Sequence, residues 1–542
     1  MLRYLLILSA ACGLCFGANI LAVFPGVWKS HYLFGRRLIS NLAQRGHNVT
    51  ILSAYYSLPQ ENVTEITIPN VEKNFLDMGL TFNLDEIRDK SILEQFSKSI
   101  YAATSNVDVV MGSEQVQSML KSKETKFDLL LIDSFMSDAL LGFSVYYNVP
   151  TVVVSPIGPN KWINEMVGNI HNSAMHPNSF LPLLDNMNLG KRITNTLMSI
   201  FEKLTYNCLY LPYHEYAYQR YFGQLIGDQQ TLPSLWDVVH NVSMVLVNSN
   251  PVSQYPRAFV PNMVEIGGAH IFNNMTKMSK SVLKFMDDAP EGILYISFGA
   301  NLKTDDLPKE KFDALIQAVR AVQGRLRVIL KLESFDLEDQ PRHTVIAPWL
   351  PQQEILAHPK LKVFISTVGL MSMIESIHYA APVLGVPIFP EQELNMKRLE
   401  QLGTGVRVNY DNFTNDSLVE AINELLANPE YKENAKRASA LFNDSLTSPI
   451  DLAVHNIEMV LRTGGARHLR SAATKLGFIQ AELIDVSLII LLGIVMIIAV
   501  PSMIICVILR RNNCKRQAQA NEVVKTATKN GVDIKNKKKK QH

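Results

Sequence analysis

Cysteine is scarce in this chain, five in 542 residues, which excludes a fold built on disulfides. No Cys-x-x-Cys pair is there to suggest a structural zinc. Charge is thin too. Asp, Glu, Lys and Arg make up 19% of the residues, below the ~25% of ordinary soluble proteins, and the shortfall points to membrane-directed segments. Gly403-Thr404-Gly405 lacks the third glycine of a dinucleotide fingerprint, and no Walker loop occurs. Nor is there a Gly-x-Ser-x-Gly elbow or a His-Glu-x-x-His pair, the marks of common hydrolases and metalloproteases. An Asp-x-Asp pattern, able to hold a cation on a diphosphate, is also missing, so no metal site is expected. The net charge of +2 argues against a nucleic-acid partner.

The two ends carry the membrane signals. Leu5 to Leu14 is an apolar run behind Arg3, followed by the small residues Cys15, Gly17 and Ala18, which reads as a cleavable signal peptide over 1–18. Val486 to Leu509 has 24 residues without a charge. As a helix that spans ~36 Å, enough for a bilayer core, and Pro501 is tolerated there. Glu482 and Asp485 precede it; Arg510, Arg511, Lys515 and Arg516 follow. The basic side marks the cytosol, predicting a single-pass type I protein with its large part luminal. The 510–542 tail has eleven Lys or Arg against Glu522 and Asp533, so the average charge hides an acidic body and a basic tail. Such a tail suits anionic lipid head groups or plain solvation. Its end, Lys539-Lys540-Gln541-His542, resembles a dilysine retrieval signal, which implies the endoplasmic reticulum membrane. Cys208 is then the single luminal cysteine. Seven sequons, at Asn48, Asn62, Asn241, Asn274, Asn412, Asn415 and Asn443, predict a glycoprotein glycosylated at some of them, Asn48 leading into a buried strand.

Between the ends, apolar runs alternate with helical stripes, the pattern of parallel sheets covered on both faces. Strands are predicted at Asn19–Phe24, Val49–Ser53, Asp128–Ile132 and Thr151–Ser155, with a helix over Ser30–Gln44. A second set covers Gly292–Phe298, Arg327–Leu332, Val345–Ala347, Lys362–Ser366 and Val383–Val386. The predicted organisation is a first domain over 19–250, a linker over 251–262 and a second domain over 263–440. C-terminal helices over 441–485 then approach a membrane span over 486–509. Two such halves put a ligand cleft at the carboxyl ends of their strands. From Ile157 to Phe222 the pattern loosens into aromatic and Met-rich segments. Three readings stay open for it: a helical insertion packed on the first domain, an apolar acceptor pocket, or a membrane-facing surface.

The densest block runs from Trp349 to Asn395. It contains Trp349-Leu350-Pro351-Gln352-Gln353, then Phe364 through Thr367, Gly369, Ser372 and Glu375, then Pro382, Gly385, Pro387 and Pro390-Glu391-Gln392. With Val264-Glu265-Ile266-Gly267-Gly268, Tyr295 to Gly299 and Gly464 to Leu469, it resembles the membrane-bound animal UDP-glycosyltransferases, insect members included. The resemblance covers essentially the whole chain. It implies a GT-B α/β fold, two Rossmann-like domains facing across a cleft, plus the C-terminal transmembrane helix. It also implies transfer of glucose or glucuronic acid from a UDP-sugar to a hydroxyl of a small lipophilic acceptor. The UDP-sugar would be a co-substrate and no cofactor is expected. Oligomers with itself or related transferases, and a role in detoxification, belong to the same implication.

By that resemblance, Trp349 stacks on uracil, while Gln352 and Glu375 hydrogen-bond the ribose. Gly369 opens a helix whose unpaired N–H groups meet the diphosphate, with Gly299, Thr367 and Ser372 beside it. Glu391 and Gln392 hold sugar hydroxyls. His31 matches the catalytic base, since an imidazole titrating near ~6.5 can take a proton from a hydroxyl. Asp133, at a second strand end, matches the carboxylate that orients it.

Two positions depart from the family pattern. The usual His-Gly-Gly is Thr367-Val368-Gly369, and the usual Gly-Ser is Gly299-Ala300. A hydrogen bond to a charged group is worth ~1.5–3 kcal/mol, so each loss costs about 10- to 150-fold in binding or rate. Thr367 retains a hydroxyl donor; Ala300 has none. Glu391 stands where Asp is common in animal members. An active, inverting, metal-independent transferase is the leading reading. A weakened or inactive relative that binds UDP-sugar or lipophile and modulates partners is the second. A lipophile carrier using the apolar half is a more distant third.

Overall fold

A computed structural model describes residues 17–78, 92–122, 125–135, 137–227, 231–272, 278–299, 307–332, 341–481 and 483–529. The signal segment before residue 17, Asn274, Ala300, Glu482 and the Lys539-Lys540 end lie outside the described residues.

Residues up to Thr474 form one compact unit built on two parallel sheets. The first has β1 (Asn19–Phe24), β2 (Asn48–Ser53), β3 (Val63–Thr67), β4 (Leu129–Asp133), β5 (Thr151–Ser155), β6 (Met244–Val247) and β7 (Met263–Glu265), in the order 3-2-1-4-5-6-7. The second has β8 (Ile293–Ile296), β9 (Arg327–Lys331), β10 (Thr344–Ala347), β11 (Leu361–Ser366), β12 (Val383–Gly385) and β13 (Gly405–Arg407), in the order 10-9-8-11-12-13. Strand order reverses between β1 and β4 in one sheet and between β8 and β11 in the other. At such a switch point neighbouring connections leave toward opposite faces and open a crevice at the carboxyl ends. The central strands are buried on both faces, which is why Leu129-Leu130-Leu131-Ile132 and Val152-Val153-Val154 read as unbroken apolar runs.

Helix α1 (Lys29–Gln44) buries Tyr32, Phe34, Leu38, Ile39 and Leu42 against the first sheet. Gly35 lets it approach closely, because a β-carbon there would lie 2.3 Å from the Phe24 ring. The residues expected as an inter-domain linker, 251–262, connect β6 to β7 within the first sheet. The passage to the second sheet therefore falls between Glu265 and Ile293. The sequence pattern missed β7 because three residues are too few to show a period.

The loosely patterned segment is helical. Helix α2 (Leu189–Thr205) runs through one π-helical turn, Tyr206–Tyr210, into α3 (Leu211–Ile226). Tyr206, Tyr210, His214, Tyr218 and Phe222 are buried, and the Tyr206 hydroxyl donates to Asp138 Oδ2 at 2.6 Å. Of the readings left open, packing on the first domain holds for this inner face. In the second domain, α4 (Leu370–His378) follows β11 and α5 (Pro390–Leu402) follows β12. Helix α6 (Pro449–Arg462) then returns to the first domain, where Ile450, Ala453, Val454 and Ile457 share a core with Ile20, Ala22 and Leu38.

The second unit, from Lys475 onward, contains α7 (Ile484–Lys529), with no buried residue and Pro501 inside it. Its most apolar window has a mean hydropathy of 3.0, long and apolar enough to cross a membrane, which fits membrane anchoring.

Candidate active site

The first domain supplies an acid–base pair at its switch point. His31 sits in the first turn of α1, just past β1, and Asp133 is the last residue of β4. Their Nδ1 and Oδ2 atoms are 2.8 Å apart, and both side chains are buried. Asp133 is itself held: Oδ1 accepts the Phe135 backbone N–H at 3.1 Å. The Phe135 ring meets the imidazole edge-on, with centroids 5.4 Å apart. With Nδ1 engaged by a carboxylate, Nε2 is the nitrogen left for chemistry.

A cavity of about 490 Å³, within the range of small-molecule sites, is lined by residues of both domains. Gly299, Trp349, Gln352, Ser372 and Glu375 line it together, as does Ser30, the neighbour of His31. Trp349 is half exposed, and Lys29 Nζ, from the first domain, lies 4.1 Å from its ring centroid. Gln352 Nε2 donates to Glu375 Oε2 at 2.6 Å and to Ser372 Oγ at 3.1 Å. Gln353 Nε2 donates to Glu375 Oε1 at 2.9 Å. Both carboxylate oxygens are thus engaged by side-chain amides, and burial pushes the Glu375 carboxyl up to about 7 despite them. Gly299, at φ +94°, stands three residues beyond β8 in a left-handed conformation that favours glycine, with open space where a β-carbon would be.

The remaining candidates stand outside that cavity lining. Gly369 is the N-cap of α4, so the N–H groups of Leu370, Met371 and Ser372 begin the helix without intrahelical partners, and Met371 reaches the cavity wall. Thr367 is buried, with its hydroxyl 3.4 Å from the Phe298 carbonyl oxygen. The retained hydroxyl donor is therefore turned toward the β8 backbone. Glu391, near the start of α5, is solvent-accessible and within electrostatic range of His31. Gln392 points the other way. It is buried and its Oε1 accepts the N–H groups of Ile388 and Phe389 at 2.9 and 3.1 Å, so its carbonyl end caps α5.

Several cavity residues escaped the sequence reading. His270 lies behind Glu375, with Nε2 3.5 Å from Oε1, and burial holds its imidazole down to about 3, hence neutral. It follows the Gly267-Gly268 pair, a pattern that signals a turn rather than a ligand. Tyr295 donates to Gln352 Oε1 at 3.3 Å, but in sequence it is one more strand aromatic. Arg37 stacks its guanidinium over Phe272, 4.7 Å from the centroid, and Lys331 enters from the end of β9. Their charges were indistinguishable from those of a solvated face.

Two parallel-sheet domains that both line one cavity are the GT-B arrangement. The chain is similar in fold to CalG4, the calicheamicin glycosyltransferase (TM-score 0.52, 17% identity, covering 82% of this chain and 98% of that one). The glycotransferase of kitacinnamycin gives a TM-score of 0.51 with 82% and 99% covered. Residues 20–520 match the UDP-glucoronosyl and UDP-glucosyl transferase family, and the chain belongs to it. It is 32% identical to UDP-glycosyltransferase UGT5 of Dactylopius coccus, over 89% of this chain and 90% of that one. It is 28% identical to human 2-hydroxyacylsphingosine 1-beta-galactosyltransferase (90% and 88% covered) and 29% identical to mouse UDP-glucuronosyltransferase 1A6 (84% and 85%). The protein is a transferase that moves sugar from a UDP-sugar donor.

Proposed function

We propose that the sugar is a hexose, glucose or glucuronic acid, and that the acceptor is a hydroxyl of a small lipophilic molecule. His31 is the general base, held by Asp133. In its neutral form His31 keeps a proton on Nδ1 and takes the acceptor proton on Nε2. The freed oxygen attacks the anomeric carbon from the face opposite the diphosphate, so configuration inverts. The breaking C–O bond leaves its electron pair on UDP, where the free N–H groups at the start of α4 stabilise the growing charge. Asp133 meanwhile stabilises the imidazolium. The Nδ1–Oδ2 distance of 2.8 Å, inside a buried pair at two strand ends, is the observation that carries this reading. No step uses a metal ion or a cofactor, so chelation with EDTA should leave turnover unchanged. Uracil stacks on Trp349 and the ribose meets the Gln352–Glu375 pair. The catalytic domains face the lumen of the endoplasmic reticulum, where conjugation would serve detoxification.

A second reading is favoured by Thr367 and Val368. The one has its hydroxyl turned to a backbone carbonyl, and the other holds a β-branched residue at φ +62° beside the phosphate-binding helix. Under it the chain binds UDP-sugar or lipophile, turns over slowly or not at all, and modulates related transferases. Microsomal turnover of UDP-glucose and UDP-glucuronic acid over a broad acceptor panel, wild type beside His31→Ala, tests both. Turnover abolished in the variant supports the transferase mechanism. UDP-sugar binding without turnover in the wild type overturns it in favour of the second reading.

A further inference from the structure

Helix α2 is turned inside out. Its buried side is polar: Asn195, Ser199, Glu202 and Thr205. Asn195 accepts the Asn178 backbone N–H at 2.8 Å and donates to the carbonyls of Ser173 and His176 at 2.7 and 2.8 Å, and Asn178 Nδ2 donates to Glu202 Oε2 at 2.5 Å. Those bonds fix the rotation of the helix. They leave Leu189, Ile193, Leu197, Ile200 and Leu204 exposed, spaced four, four, three and four residues apart along one stripe. Leu197 is 62% exposed, and exposed Cys208, one further turn along, extends the line. A soluble surface helix has the opposite arrangement.

Two more observations say what covers the stripe. Arg192, exposed, flanks its start with positive charge. The segment that receives the Asn195 hydrogen bonds also carries Ile170, 81% exposed, and Met175. Beside it, a β-carbon built on Gly168 would lie 2.8 Å from Ala473 Cβ and 3.1 Å from the Thr474 nitrogen. The globular unit therefore ends against the same apolar surface. Residues 475–485 separate Thr474 from the apolar segment. An extended chain covers at most about 3.5 Å per residue, so a bilayer holding that segment lies within about 40 Å of Thr474.

We propose that α2, with the adjoining Ile170–Met175 segment, lies in the surface of a lipid bilayer. The apolar stripe enters the head-group boundary while Arg192, at its edge, meets head-group phosphate. This contact is additional to the C-terminal anchor and does not depend on the chemistry proposed above.

The test uses the full chain, reconstituted in phosphatidylcholine–phosphatidylserine vesicles, with an environment-sensitive dye on Cys208 and the other cysteines replaced by serine. A control chain has Cys208→Ser with the dye on Glu433→Cys, an exposed site elsewhere on the unit. Brominated lipid should quench about half of the Cys208 emission and under about a tenth of the control emission. Leu197→Ser with Leu204→Ser should reduce the quenching at least about twofold without changing the melting temperature. Water-like emission without quenching overturns the proposal. So does shielded emission that bromolipid leaves unquenched and that disappears on dilution into excess lipid, because a second copy then covers the stripe.

Discussion

Replacing Asp133 with Asn tests the proposed base through its partner rather than by deleting it. The carboxylate has two distinct bonds, Oδ2 with His31 Nδ1 at 2.8 Å and Oδ1 with the Phe135 N–H at 3.1 Å. Asn can preserve the second only by directing its carbonyl oxygen to Phe135. Its NH2 group then faces His31 Nδ1, a donor set against the atom that must itself carry a proton. Flipping the amide would put two donors together at Phe135, so the flip is opposed. The imidazole answers by moving its proton to Nε2, the atom needed as acceptor, and the base is lost with the site geometry intact. General-base catalysis contributes about 10²- to 10⁴-fold, and the corresponding Asp-to-Asn change in a serine-protease triad costs about 10⁴ in kcat. We therefore expect Asp133→Asn to lower kcat by about 10²- to 10⁴-fold. KM for the UDP-sugar should stay within about twofold, because the proposed uridine contacts lie on the second domain. Product formation at saturating donor and acceptor, with a thermal melt as a folding control, measures both. A kcat within tenfold of wild type in a folded variant, or a loss carried by donor KM, would refute the reasoning.

The sequence made the two sheets legible because their central strands are buried on both faces and bounded by helical stripes. β1 and β5 begin and end at the residues read from the sequence alone, and α4 starts at Leu370, one residue after the Gly369 expected to open it. Short edge strands such as β7 and β13 had no such signal, since three residues cannot show alternation. At the site, position in the chain was readable but orientation was not. Glu391 and Gln392 are adjacent in sequence, yet one is exposed within electrostatic range of His31 and the other is buried and caps its own helix. Thr367 keeps the hydroxyl that sequence reasoning valued, but directs it to the Phe298 carbonyl. His270 and Arg37 reach the cavity through packing between sheets, which no local pattern encodes. The sequence reading registered only a loosened pattern over α2; the hydrogen-bonded polar face shows that its apolar stripe points away from the protein.

Trp349→Ala should raise KM for the UDP-sugar about 5- to 150-fold, since stacking a base on an aromatic ring is worth ~1–3 kcal/mol; donor titration measures it, and an unchanged KM places uracil elsewhere. Asp138→Asn probes burial through pH. Burial keeps Asp138 protonated up to about 7, against an ordinary 3.8, so the folded chain holds a proton that the unfolded chain releases between those values. That contribution is fully present below about pH 4 and lost as pH rises through 7, a change on the order of 4 kcal/mol, so the variant should gain melting temperature on wild type between pH 5 and 8. A gap independent of pH would mean that Asp138 is ionised in the folded chain. Val368→Gly separates fold from function at the family's altered motif. The left-handed backbone at Val368 costs about 1–3 kcal/mol for a non-glycine residue, which glycine would release. Its side chain is buried among Met373, Val383 and Met396, and deleting it forfeits about 1.5–3 kcal/mol plus ~0.5–1 of added chain entropy. The terms nearly offset, with a small net loss of stability expected. The Val368 N–H donates to Ser366 Oγ at 3.1 Å, and Asn395 holds its carbonyl at 2.9 Å, so both backbone groups are engaged away from the cavity. Valine at this position therefore strains the turn without supplying or blocking a donor, and turnover by Val368→Gly should stay within about threefold of wild type. A tenfold rise in kcat would show instead that the strained turn holds the start of α4 away from the diphosphate, and would turn the slow-enzyme reading into a property of this one residue.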